Sequence, residues 1–211
     1  VMIGPSSSHT AGAARLARTA AMLVDAPFRH VSFGLHGSFA KTYRGHGTDR
    51  ALVAGVLGMR ADDERLRDSF AAAKERGLTF DFHEQELEGL HDNSVAMQFR
   101  LEDGTTRAIA GSSIGGGQIV IRRIGGLEVE LTLQTPTLVI TQLDQPGVVS
   151  DITKVLAGHG INIGVMKVSR VARGRTAICV IETDSPPAAA VVQEISRCRH
   201  VCSVQAINPD Q

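Results

Sequence analysis

Residues Ser6-Ser7-Ser8-His9-Thr10 place four hydroxyls and one imidazole in five consecutive positions. The alanine-rich run from Ala11 to Val24 follows directly and is helix-prone. The hydroxyls therefore sit at or just before a helix N-terminus, where free backbone N–H groups and the positive dipole end suit an anion. A Ser/His neighbour pair suggests hydrolysis, but adjacent residues rarely aim a nucleophile at its base, and this loop lacks the G-x-S-x-G elbow. A cradle for a carboxylate is the better reading. A second polar loop carries His36, Ser38, Thr42, His46, Thr48 and Asp49. Either loop could serve only capping and turn formation, with Thr48 or Asp49 capping the helix Arg50 to Leu57. What favours a site is that His9, His36 and His46 lie among glycines and hydroxyls rather than at apolar positions. The histidines at 30, 83, 91, 159 and 200 have no such setting and read as structural or solvated.

The elements that must position these loops follow from pattern. His30 to Leu35 predicts a strand between the two loops. Asp62 to Glu75 predicts an amphipathic helix with Leu66, Phe70 and Ala73 on one side. Thr79 to Phe82 begins a strand, and hairpins are expected around Asp103-Gly104 and Gly125-Gly126. Gly111 to Gly117 reads as a flexible loop. Its glycine run lacks the lysine and following helix of a phosphate loop, so a tight turn is the better reading. Proline at 136 marks a break, giving domains over 1–134 and 137–211. Beyond it the pattern is strand, helix, strand, strand, helix, strand, the ferredoxin-like plan, so the fold class is α/β (α+β).

Bulk properties exclude several function classes. The chain has 211 residues with 22 basic and 22 acidic side chains, a balance that argues against nucleic-acid binding and anionic membrane surfaces. No apolar run approaches the roughly 20 residues of a membrane helix. The opening Val1-Met2-Ile3 has no basic leader, and Met2 behind Val1 suggests that the natural N-terminus lies upstream. Cys179, Cys198 and Cys202 read as reduced thiols of a cytoplasmic protein, too few and too widely spaced for a cluster ligand set. No metal site is expected on this chain.

Two resemblances sharpen the reading. Gln142-Leu143-Asp144-Gln145-Pro146-Gly147-Val148-Val149, followed by Gly160-Ile161-Asn162-Ile163, closely resembles the ACT domain pattern. It implies a regulatory amino acid bound between the first turn and a neighbouring chain, with Asp144, Gly147, Val148, Asn162 and Ile163 as ligand-site candidates and pairing of ACT domains. Asp144 and Asn162 could meet the ligand's amino group, or could only cap a helix and satisfy backbone. Met2 to Gly12, the loop from His36 to Asp49 and the run Ser113 to Gly117 resemble the beta chain of iron–sulfur L-serine dehydratases, whose N-terminal domain is allosteric-substrate-binding-like. Tyr43 stands where such proteins commonly place glycine. This resemblance implies conversion of L-serine to pyruvate and ammonia with a cysteine-rich alpha subunit that holds a 4Fe-4S cluster. Ser6, Ser7, Ser8, Thr10, His36, Ser38, Thr48 and Asp49 would bind substrate, and His9 or His46 would move a proton. The competing reading is a non-catalytic amino-acid sensor resembling the regulatory region of a phosphoglycerate dehydrogenase.

Overall fold

The computed structural model describes residues 8–209, with Ser8 described through its backbone alone. The chain forms two compact units that divide between Gly126 and Leu127.

The first unit opens with a π-helical turn over Ser8–Gly12 that runs into α1 (Ala13–Val24). Next come β1 (Phe28–His36), the short α2 (Gly37–Thr42) and α3 (Thr48–Val56). The expected helix over 62–75 is instead a 3-10 turn, Glu64–Asp68, continuing as α4 (Ser69–Glu75). Asp63 opens that turn by accepting from the N–H of Arg65. Strands β2 (Thr79–Glu84), β3 (Ser94–Leu101), β4 (Thr106–Gly115) and β5 (Gln118–Ile124) complete the unit. They order as β2-β1-β3-β4-β5, with β2 parallel to β1 and the other neighbours antiparallel.

Period-2 alternation puts Val31, Phe33, Leu35, Met97, Phe99 and Ile121 on one face, all fully buried or nearly so. Ala13, Ala14, Leu16, Ala17 and Ala20 of α1 are also completely buried. Small side chains let α1 approach its neighbours closely. A Cβ on Gly111 would lie 2.8 Å from Leu16 Cδ1, and one on Gly55 would lie 2.3 Å from the carbonyl oxygen of Ala14 and 2.8 Å from Ala17 Cβ. Gly55 belongs to α3, so the two helices meet backbone against backbone there. The polar turn before α1 and the loop before α3 are carried to the same place.

The second unit begins with β6 (Leu127–Leu131) and continues β7 (Thr137–Leu143), α5 (Val148–Gly158), β8 (Ile163–Arg170), β9 (Thr176–Thr183), α6 (Ala189–Ser196) and β10 (Val201–Ile207). From β7 onward this is the ferredoxin-like order, with strands arranged β10-β7-β9-β8 and every neighbouring pair antiparallel. Leu138, Ile140, Cys179 and Ile181 pack with Val148, Ile152, Leu156, Val191 and Ile195 of the helices. Among the described residues no helix is long and apolar enough to cross a membrane.

Gly55→Ala should lower the thermal unfolding midpoint. In an uncrowded helix the change would stabilise by about 1 kcal/mol, but here overpacking should cost about 1–3 kcal/mol. A raised midpoint in a melting experiment would show that α1 and α3 are not in close contact.

Candidate functional site

The π-helical turn, α2 and the loop before α3 converge on His9. His9 is buried, and its Nε2 lies 3.1 Å from Ser38 Oγ across 29 residues of sequence. Its ring packs 5.5 Å from that of Phe39 and 4.7 Å from that of His46, nearly perpendicular to the latter. The Thr10 hydroxyl points to the carbonyl of His46 at 3.5 Å. Burial pushes the His9 imidazole below its usual 6.5, and the neighbouring His46 charge adds to that. A neutral imidazole beside a hydroxyl can accept a proton near neutral pH.

Local sequence explains the loop. Gly37 has φ 56°, and a Cβ there would lie 2.6 Å from the carbonyl oxygen of Asp92. The Phe39 N–H donates to that same oxygen at 3.4 Å, and Thr42 Oγ1 donates to the carbonyl of Ser38 at 2.7 Å. So α2 forms inside what reads from sequence as open loop, and it sets Ser38 toward His9. Tyr43 has φ −55°, a conformation that asks for no glycine.

The other candidates distribute as follows. Ser6 and Ser7 lie outside the described residues, as does the side chain of Ser8. Thr48 does not cap α3, because Gly47, at φ 71°, is the cap and no side-chain bond forms there. The Thr48 hydroxyl is instead buried without a partner, as is His46 Nδ1. Asp49 accepts from the N–H of Arg50 at 2.8 Å, and burial pushes its carboxyl up against the opposing pull of Arg50. His36 ends β1 and spends Nδ1 on the Leu87 N–H at 3.1 Å, which makes it a structural anchor.

Ser113 is a buried polar residue whose setting sequence reasoning missed. Its glycine- and serine-rich surroundings read as flexible loop, yet β4 runs through to Gly115, and Ser113 is fully buried with an unpartnered Oγ. Gly111-x-Ser113-x-Gly115 has elbow spacing, but a continuous strand is not the strand-to-helix turn that exposes a nucleophile. The turn itself is Gly115 to Gly117, all at positive φ, tied to α1 by the Arg15 guanidinium donating to the Gly117 carbonyl at 3.4 Å.

In the second unit, Asp144 pairs with Arg170 and also accepts from the Gly174 N–H at 3.4 Å. These bonds hold its carboxyl below the usual range, Arg170 contributing most. Gly147, at φ 94°, caps α5, so Asp144 does not. Val148 turns its side chain into the core and Ile163 packs against that core, leaving backbone as their contribution to any ligand. Asn162 bonds Asp184 at 2.7 Å. The register pairs Leu143 with Thr176 and Ile163 with Thr183, so Asp144 and Asn162 of one chain lie at opposite ends of the sheet.

Comparison with known proteins adds the following. Residues 1–123 match the family model described as serine dehydratase beta chain, and residues 137–200 match the ACT domain. The L-serine dehydratase beta chain of Peptoniphilus asaccharolyticus is 40% identical over 88% of this chain and 84% of its own length. The probable L-serine dehydratase beta chain of Bacillus subtilis is 36% identical over 98% of this chain and 94% of its own. The chloroplastic D-3-phosphoglycerate dehydrogenase 3 of Arabidopsis thaliana is 24% identical over 62% of this chain, which spans 24% of that protein.

The depressed His9 value fixes the sign of a pH effect. The unfolded state binds more protons at this position, so its contribution to stability is lost as pH falls through 6.5 toward the lower folded value. Chemical denaturation between about pH 7.5 and 5 should show a loss of stability that is smaller in His9→Gln. Equal losses in both proteins would contradict a buried neutral His9.

Proposed function

The chain belongs to the serine dehydratase beta-chain family, and on that premise we propose that it is the beta subunit of a two-chain, cytoplasmic L-serine dehydratase. In the proposed reaction L-serine loses water to give an aminoacrylate, which then takes up water to release pyruvate and ammonia. The observation that carries this reading is the His9, Ser38 and His46 cluster at a helix start in a member of that family.

The chain's own residues do not fit as holders of a 4Fe-4S cluster. Cys179 is buried in the ACT core with its thiol pushed up to about 11, and among the described residues no group of three or more His, Cys, Asp or Glu is placed to hold a metal ion. We assign the cluster to the cysteine-rich alpha chain, where it would act on the serine hydroxyl as a Lewis acid. The beta chain's part is to bind and to move protons. Hydroxyls and N–H groups at the start of α1, with Ser38, hold the substrate carboxylate. His9 or His46 transfers the proton, and the neutral state that burial imposes on His9 suits it to accept one.

Co-expression with the cysteine-rich partner under anaerobic conditions, followed by a pyruvate assay on L-serine, tests this. Turnover should require both chains, and His9→Ala or His46→Ala should cut it about 10²–10⁴-fold with the fold intact. No turnover with an iron-loaded partner would favour the amino-acid-sensor reading.

The ACT unit is proposed to take an amino acid beside the Asp144 to Val148 turn and to pair with a second copy. Support for pairing comes from β8, an edge strand whose Val165, Met166 and Val168 are exposed. Combined with alpha–beta pairing it suggests a heterotetramer. Replacing Met166 and Val168 together by Lys should convert a dimeric beta chain to monomer by light scattering. An unchanged mass would move the contact elsewhere.

A further inference from the structure

The face of the first sheet opposite α1 carries a second polar site. Residues on β1 to β4 that alternate with the buried Val31, Phe33, Met97 and Phe99 line a cavity of about 210 Å³: His30, Ser32, Asp81, Gln98, Arg100 and Thr106. Drug-sized ligands occupy pockets of roughly 300 Å³ and more, so a molecule of only a few heavy atoms is indicated. The register sets His30 opposite Arg100, Ser32 opposite Gln98 and Arg100 opposite Thr106, so donors from three adjacent strands open into one hollow.

Charge decides what that molecule is. The Asp81 carboxylate already accepts from Ser32 Oγ at 2.8 Å and from His30 Nε2 at 3.0 Å, with His83 Nδ1 at 3.4 Å. Partial burial pushes its carboxyl up, but the bonds from Ser32, His83 and His30 outweigh that and hold it below the usual range. His30 Nδ1 lies 2.8 Å from Thr79 Oγ1, and that hydroxyl donates to the carbonyl of Arg29 at 3.2 Å. The Asp81 oxygens are therefore taken up by side chains of its own strand and of β1. Arg100 is exposed and makes no ion pair among the described residues. The Arg100 guanidinium, which makes no such pair, is left open to the hollow beside the Gln98 amide and the Thr106 hydroxyl.

We propose that this hollow on the open sheet face binds a small oxyanion, a carboxylate or a phosphate, with Arg100 as its principal contact. The site shares no residue with the His9 cluster and does not rest on the dehydratase reading.

Inorganic phosphate and pyruvate, titrated separately into the full chain at constant ionic strength, are the probes. The readout is the ring-proton resonances of His30 and His83. At least one anion should shift them saturably, and Arg100→Gln should weaken that response at least tenfold while leaving the melting temperature within about 2 °C. Saturation by phosphate alone or pyruvate alone identifies the oxyanion. An equal shift with sodium chloride, no saturable shift with either anion, or an undiminished response in Arg100→Gln would overturn the proposal.

Discussion

Gly55 lets α3 lie against α1 with no side chain between them, and the polar chemistry of the first unit depends on that closeness. The contact brings Gly55, near the end of α3, against Ala14, near the start of α1. The His9 and His46 rings meet just ahead of the two helices. Alanine at 13, 14, 17 and 20 is the complementary feature, since larger side chains would hold the helices at the usual distance of about 8–10 Å and part the turns. The apolar contact holds the helices together, and the Thr10 hydroxyl, 3.5 Å from the His46 carbonyl, ties the turns that carry the two imidazoles.

Once the turns are together, burial sets the electrostatics. His9 is driven toward its neutral form by loss of water first and by His46 second. The buried atoms Thr48 Oγ1, His46 Nδ1 and Ser113 Oγ have no partner. Each such group costs about 1–3 kcal/mol, and costs of this kind concentrate where a protein does chemistry. The second unit also buries unpartnered atoms, Gln142 Oε1 and Asn208 Oδ1, and differs instead in where its charges lie. Its charged groups sit at an exposed turn, where Arg170 answers Asp144 in solvent, and its fold rests on an apolar core that excludes them.

Local pattern is enough to read α1, β1, α3 and the whole strand and helix order of the ACT unit, because each shows a clear period with turn residues at its ends. It fails where tertiary contacts override composition. Glycine and serine at 111 to 113 look like loop, but β4 needs small residues there to admit Leu16 and the start of α1. Gly37 to Thr42 looks like loop for the same reason, yet the Asp92 carbonyl takes the Phe39 N–H and the segment closes into a helical turn. The His9, Ser38 and His46 grouping is legible as two hydroxyl-rich loops. That His36 serves Leu87, or that Thr48 is buried rather than capping, is not, since both depend on which way a side chain turns. His30 and His83 look ordinary in sequence because Asp81, the partner they share, meets His30 and Ser32 only when β2 pairs with β1.

In the proposed enzyme His9 works as a neutral imidazole whose state is set by burial and by His46. The most direct test is the pH dependence of kcat/KM for the assembled enzyme, wild type against His46→Gln. The expected result is an acidic limb with an apparent value below 6.5 in wild type, shifted upward in the variant as the His46 charge is removed. An acidic limb that stays in place in His46→Gln, or one above 6.5 in wild type, would contradict this role for His9.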